Sequence, residues 1–187
     1  ASGTVTLALA TPGGATLTGG AATTVTSGVA TFAGLNVDRV GSYTLTPTTS
    51  VAGVTTLPAS GSFAVSAGTA SQLALTTNPA GAASGAAFTT QPVVAIRDAA
   101  GNTVTTATNV VTMTASTGAT VVGTATATAT AGVATFTNVG ISGAAGTSYT
   151  LTFAATGLTS ATQSITTTAG TASQLALTTN PAGAASG

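Results

Sequence analysis

The stretch AGTASQLALTTNPAGAASG at residues 67–85 occurs again without change at residues 169–187, a spacing of 102 residues. Repetition with a period of about one hundred residues is typical of tandem arrays of small domains rather than of a single enzyme fold. We therefore expect the chain to be part of a longer array.

Shorter copies support this register. The sequence GVATF occupies both residues 28–32 and residues 132–136, and SYTLT occupies both residues 42–46 and residues 148–152. The spacing changes slightly between these pairs, and such changes in length belong in loops.

This register divides the chain into residues 1–66, the later strands of one repeat, and residues 67–168, a complete repeat. The remaining Ala169–Gly187 would be the opening strand of a third. Two explanations of these ends stay open. A neighbouring copy could receive the strand in Ala169–Gly187 by β-augmentation of its incomplete first repeat, or the boundaries could fall arbitrarily within a continuous array.

The chain carries almost no charge. It has two basic and two acidic residues, and charged residues make up 2% of the sequence, against roughly 25% in an ordinary soluble domain. Because a net charge near zero removes the repulsion between molecules, we expect the chain to associate with copies of itself.

The residues needed for most catalysis are missing. His, Cys, Lys and Glu do not occur, so no general base can activate the abundant Ser and Thr hydroxyls. One Asp per repeat is too few for a calcium site, zinc has no ligand set, and two Arg do not make a nucleic-acid surface. We predict no enzyme, no cofactor, no metal, no nucleic-acid partner and no small-molecule substrate. No apolar run in this window is long enough for a membrane-spanning helix.

Alternation with a period of two residues dominates the complete repeat, which predicts short β-strands. Pro92 indicates that the first half of its strand lies at an edge or a bulge. About seven strands at this spacing favour an antiparallel β-sandwich. We predict strands at residues 71–77, 88–97, 109–115, 120–130, 133–141, 148–156 and 161–168.

A turn follows the second predicted strand. Asp98 can accept hydrogen bonds from backbone amides ahead of it, and Gly101 can adopt a positive φ. We therefore assign Asp98, Gly101 and Asn102 a structural role in this turn. The pair Asp38 and Arg39 has no charged counterpart in the complete repeat, and we interpret it as a loop feature.

The order of these segments resembles the immunoglobulin-like tandem repeats of bacterial surface proteins of the invasin and intimin type (Big-like repeats). The resemblance rests on VAIRDAAGN at residues 94–102, VVTMT at 110–114, GVATF at 132–136 and SYTLT at 148–152. It implies an all-β chain of tandem immunoglobulin-like antiparallel β-sandwich repeats of about 102 residues. Within that fold, Tyr43 and Tyr149 would either form tyrosine corners or simply lie half-buried at strand ends.

These observations lead to two functional hypotheses. The first is a structural repeat protein, located outside the cell or at its surface, that forms part of a self-associating filament, sheath or stalk. The alternative is an adhesin stalk or binding module that recognises a host surface or a glycan. Binding sites usually contain clustered aromatic or charged residues, whereas aromatic residues are only 4% of this chain.

Overall fold

The computed structural model describes residues 2–172, 174–179 and 183. These residues form an all-β structure in which all strand-to-strand ladders are antiparallel. The all-β prediction is confirmed. In chain order the strands are β1 (Thr4–Leu9), β2 (Leu17–Thr18), β3 (Thr23–Thr24), β4 (Asn36–Val37), β5 (Gly41–Tyr43), β6 (Leu45–Thr49), β7 (Phe63–Val65), β8 (Gln72–Thr77), β9 (Ala86–Ala87), β10 (Val93–Arg97), β11 (Val110–Ala115), β12 (Ala119–Gly123), β13 (Thr126–Thr128), β14 (Val133–Thr135), β15 (Val139–Gly143), β16 (Ser148–Ala154) and β17 (Ala161–Thr166).

The C-terminal half, residues 67–168, has a sandwich-like arrangement. A four-stranded sheet with the order β13-β11-β16-β17 accompanies two three-stranded sheets, β14-β10-β8 and β12-β15-β9. Alternation places Val111 and Met113 of β11 in the core and leaves Val110, Thr112 and Thr114 exposed, as expected for a strand with one buried face. The largest fully buried apolar side chains of this core are Phe136, Phe153, Ile96, Met113, Ile141, Leu151, Val94, Val111 and Val139.

The N-terminal half, residues 2–66, has a related but thinner arrangement. Its sheets are β3-β1-β6, β2-β4 and β5-β7. Strand β1 pairs with β3 and β6, just as β11 pairs with β13 and β16. Among the described residues of this half, only Ala15 and Tyr43 are buried apolar side chains. The sheets of this half therefore enclose much less core than those of the C-terminal half.

Two predicted strands are each divided between two sheets. Residues 120–130 form β12, which pairs with β15, and β13, which pairs with β11. The break lies at Gly123, which has a φ of 76°, in the left-handed region that favours glycine. Residues 133–141 form β14, which pairs with β10, and then β15. The expectation of one continuous strand in each segment was wrong, because period-two alternation does not reveal where a strand changes sheets.

The predicted strand at residues 88–97 is regular only in its second half, β10. The ladder between β10 and β8 has a register shift between Val93 and Val94, immediately after the fully buried Pro92. Proline cannot donate a ladder hydrogen bond, which favours an irregularity at this point.

The predicted opening strand Ala169–Gly187 lies partly outside the described residues. Residues 169–172 and 174–179 form no strand. Leu175 and Leu177 are 103% and 80% exposed, whereas the repeat-related Leu73 is only 5% exposed. The same sequence is therefore buried in one position of the chain and exposed in the other.

We predict that Gly123→Ala will destabilise the C-terminal half much more than Gly157→Ala. Both glycines have a positive φ, but a Cβ at Gly123 would overlap the carbonyl oxygen of Asn138, whereas a Cβ at Gly157 would meet open space. The control should therefore lose only the roughly 1–2 kcal/mol expected for a left-handed alanine. Urea unfolding of both variants measures the difference, and equal losses would contradict the assignment of Gly123 to the change of sheet.

Candidate functional site at the joint between the two halves

The turn after β10 is closed by its own backbone. The N–H of Asp98 donates to the carbonyl of Asn102 at 3.0 Å, and the N–H of Gly101 donates to the carbonyl of Asp98 at 3.1 Å. Gly101 has a φ of 88°, which an L-residue with a side chain adopts only with strain. The Asn102 N–H also donates to Asp98 Oδ1 at 2.8 Å, so the turn presents the Asp98 carboxylate inward.

The Asp98 carboxylate connects this turn to the segment that joins the two halves. Asp98 is only 5% exposed, and its Oδ2 accepts hydrogen bonds from the Gly68 N–H at 2.8 Å and from Asn102 Nδ2 at 3.0 Å. Gly68 lies between β7 of the N-terminal half and β8 of the C-terminal half. Gln72 Nε2 donates to the Asp98 carbonyl at 2.8 Å. The turn, the connecting segment and the start of β8 are therefore held together.

The Asn102 side chain links the turn to the N-terminal half itself. Its Nδ2 donates to the carbonyl of Asp38 at 2.9 Å, and its Oδ1 accepts from the N–H of Val40 at 3.1 Å. One amide group thus pairs with the backbone of the other half through both its donor and its acceptor. We call the set of Asp38, Arg39, Val40, Gly68, Asp98 and Asn102 the joint.

Hydrogen bonding lowers the pKa of both carboxyl groups at the joint. The Asn102 side chain, followed by the Gly68 N–H, lowers the pKa of Asp98 below its ordinary value of 3.8. The backbone N–H of Thr16, which donates to Asp38 Oδ1 at 2.7 Å, lowers the pKa of Asp38. Both effects arise because amide donors stabilise the ionised form of a carboxyl group.

All four charged side chains of the chain lie at or beside the joint. Arg39 and Arg97, the two basic residues of the sequence, line one open groove together with Val40 and Asn102. The Arg97 Nε is buried and has no hydrogen-bond partner among the described residues. A second open groove of about 590 Å³ runs between the halves and is lined by both Asp38 and Asp98.

The structure places the predicted turn residues together and adds partners that the sequence did not indicate. Asp98, Gly101 and Asn102 lie in one turn. The sequence interpretation missed that Asp38 and Arg39 lie against this turn. One feature of the sequence could have indicated this contact: the chain has only four charged residues, and they form two adjacent pairs.

The two tyrosines lie elsewhere and differ from each other. The Tyr149 hydroxyl accepts a hydrogen bond at 2.9 Å from the N–H of Ala144, five residues upstream, which is the type of contact that defines a tyrosine corner. Both side chains are buried, since Tyr149 is 4% exposed and Tyr43, the last residue of β5, is 8% exposed. The Tyr43 ring packs 6.3 Å from the ring of Phe63, centroid to centroid.

The polar groups of the joint form structural hydrogen bonds. Within the part of the chain that the structure describes, no three potential metal ligands lie together. Both carboxylates are already occupied by amide donors. The described part of the chain contains no helix that is long and apolar enough to cross a membrane. The arrangement of donors and acceptors can fix the relative position of two segments of backbone.

No protein-family model matches the chain, and no curated protein matches it. Among solved structures, it is similar to a glycosyl hydrolase family 2 member from Bacteroides cellulosilyticus, with 14% identity and a TM-score of 0.46 over 88% of this chain and 21% of that one. A β-glycosidase from Bacteroides vulgatus has 14% identity and a TM-score of 0.45 over 87% and 21%, respectively. The chain thus spans about a fifth of their length, and at this similarity the resemblance to bacterial immunoglobulin-like repeats stays a prediction.

We predict that Asn102→Ala will loosen the joint while leaving the two halves folded. The variant loses both hydrogen bonds to the N-terminal half, and no other side chain among the described residues makes the same two-point contact there. Small-angle X-ray scattering should show a broader distribution of shapes than for the unaltered chain. Asn138→Ala, at an exposed position of the C-terminal half, is the matched control, and identical scattering from the two variants would contradict the role of Asn102.

We predict that the joint weakens at acid pH. Because the folded-state pKa of Asp98 lies below 3.8, its carboxylate contributes stability above the ordinary pKa, and this contribution is lost as the pH falls through the lowered value. The amide chemical shift of Gly68 should report this protonation with a midpoint below pH 3.8. A midpoint at or above pH 3.8 would contradict the hydrogen bonding to the Asp98 carboxylate. As a control, Asp98→Asn should remove the transition.

Proposed function

We propose that the chain is a segment of a structural repeat protein, located outside the cell or at its surface, which forms part of a self-associating filament, sheath or stalk. The observation that carries the proposal is the joint, because it holds the N-terminal half against the C-terminal half through a buried carboxylate and a two-point amide contact. A protein that extends over distance requires such connections between its units. In this proposal the units are tandem immunoglobulin-like sandwiches.

Two features of the two halves support the tandem arrangement. The pairing of β2 with β4 parallels that of β12 with β15. The turn at Ser27 and Gly28 has φ values of 51° and 83°, and the turn at Ala131 and Gly132 has values of 49° and 76°. Two consecutive residues with positive φ are typical of a type I′ hairpin turn, and in both halves the second turn residue is the first residue of a GVATF copy.

Self-association is supported by a sheet edge that carries neither charge nor proline, on a strand of three residues. Edge strands commonly carry charged residues or proline, which prevent pairing with another chain. The four-stranded sheet ends at β13, whose sequence is Thr-Ala-Thr with both threonines exposed. With neither charge nor proline in β13, another copy can extend this sheet by strand pairing.

The alternative function, an adhesin stalk or a module that binds a host surface or a glycan, uses the same joint without lateral assembly. The open groove between the halves is a concave surface for such binding, but its lining contains no aromatic residue. Aromatic side chains usually supply the contact area of such recognition sites. The groove therefore supports the binding function less strongly than the joint and the β13 edge support the structural function.

Negative-stain electron microscopy of the chain at neutral pH tests the proposal. We expect filaments or sheets with an axial period equal to the length of one or two repeats. Asn102→Ala should make such assemblies irregular, while Asn138→Ala should leave them unchanged. Dispersed particles that do not associate at any concentration would overturn self-assembly and leave the stalk alternative.

A further inference from the structure

The positive charge of the chain is concentrated in one groove at the joint. Arg39 and Arg97 are the only basic residues of the sequence, and both line an open groove of about 270 Å³. Arg39 belongs to the N-terminal half, between β4 and β5, whereas Arg97 is the last residue of β10 in the C-terminal half. We call this groove, to which each half contributes one cation, the arginine groove.

The walls of the arginine groove carry no opposite charge. The other described residues that line it are Val40, Ala100, Gly101 and Asn102, and all four are uncharged. Two cations that share a groove repel each other, and an anion between them is attracted by both. The electrostatic environment of this groove therefore favours an anionic ligand.

The two carboxylates of the chain do not neutralise the arginine groove. Asp38 and Asp98 line the other groove, of about 590 Å³. Amide groups of Thr16, Gly68 and Asn102 already donate to their oxygens. Neighbouring residues of an extended segment point to opposite sides, which explains how Arg97 and Asp98 line different grooves although they are adjacent. The carboxylates lower the net charge of the joint but leave both guanidinium groups available.

Both guanidinium groups have unused hydrogen-bond donors. The Arg97 side chain is half-buried, and its enclosed Nε has no partner among the described residues. A buried donor without a partner is unfavourable. Arg39 is exposed, and its guanidinium lies beside Gly14, where a Cβ would come within 3.7 Å of Arg39 Cζ. The N–H groups of a guanidinium form a planar fork that matches the oxygens of an oxyanion.

We propose that the arginine groove binds a phosphate or sulfate group, which bridges Arg39 and Arg97. Two cations in an uncharged groove attract a dianion more strongly than a monoanion. Pockets for drug-sized ligands measure about 300–1,000 Å³, so this smaller groove suits a free ion or one ester group of a larger molecule. Because the two arginines belong to different halves, the bound anion also strengthens the joint. This site goes beyond the proposed structural function and does not depend on it.

An acidic side chain of a second copy does not suit this groove. The only acidic residues of the sequence are Asp38 and Asp98, and each already accepts backbone hydrogen bonds within its own copy. If one of them entered the arginine groove of another copy, those amide donors would lose their partner, which is unfavourable. We therefore expect the anion to come from the surroundings of the protein.

Binding is tested by titrating the isotope-labelled chain with sodium sulfate at neutral pH and constant ionic strength. We expect saturable chemical-shift changes at the amides of Val40, Ala100, Gly101 and Asn102 and at the Arg97 Nε–H. Sodium acetate should bind more weakly, because it carries a single charge. Shifts that do not saturate or that spread over the whole chain would overturn the proposal, and so would equal binding of acetate.

Two variants test the role of the arginines. Arg39→Gln and Arg97→Gln should each weaken sulfate binding at least about tenfold, because each removes a charge together with its hydrogen bonds to the anion. Arg39 is exposed, so its variant stays informative even if Arg97→Gln impairs folding. Unchanged affinity in Arg39→Gln would overturn the bridging of the two halves.

A charge-matched control separates a specific site from general attraction. The double variant Arg97→Gln/Thr112→Arg restores the positive charge at an exposed position of β11. It should bind sulfate as weakly as Arg97→Gln alone. Recovery of binding in the double variant would show that only the net charge of the chain matters, and it would overturn the proposed site.

Two further measurements identify the source of the group and its effect on the joint. Glycerol phosphate should bind as well as inorganic phosphate if the ligand is an ester group of a larger molecule, and more weakly if it is the free ion. Small-angle X-ray scattering should show that saturating sulfate narrows the distribution of shapes of the unaltered chain but not of Arg39→Gln. Filament formation is measured separately, so its failure would refute the proposed function without affecting the sulfate result.

Discussion

The hydrogen bonds to the Asp98 carboxylate are the interaction on which the arrangement of the two halves depends. A buried charge without partners is strongly unfavourable, and Asp98 is only 5% exposed. Its partners come from the turn itself, through Asn102, and from the connecting segment, through Gly68. The carboxylate needs the hydrogen bonds from both Asn102 and Gly68. If the connecting segment with Gly68 moved away, the ionised Asp98 side chain could not stay buried in the turn.

The same interaction explains how one side chain links sequence-distant elements. Asp98 orients the Asn102 amide by accepting from its Nδ2, and that amide then contacts the backbone around Asp38 and Val40. A backbone contact depends little on the side chains of the partner segment. The contact therefore does not require a particular loop sequence at residues 38–40, whose counterparts in the C-terminal half carry no charge.

Local sequence predicted much of the fold but not its tertiary organisation. Alternating apolar residues located β8, β11, β16 and β17 to within about two residues, because one face of each strand is buried. Alternation did not predict the sheet changes at Gly123 and near Phe136, since a strand keeps its period of two whichever sheet it joins. It also did not predict that Asp38 lies beside Asn102, because that proximity depends on how the halves pack.

The two copies of the GVATF segment separate local from tertiary causes. In both halves the preceding turn has the same backbone conformation, which shows that the local sequence is sufficient to specify the turn. Only the copy at residues 132–136 continues into a strand, because β10 supplies its ladder partner. Burial follows the same rule, since Phe136 packs against Phe153 at 5.6 Å between ring centroids while Phe32 stays partly exposed. In a chain with so few large apolar side chains, a strand and its core form together, and neither is specified by the segment alone.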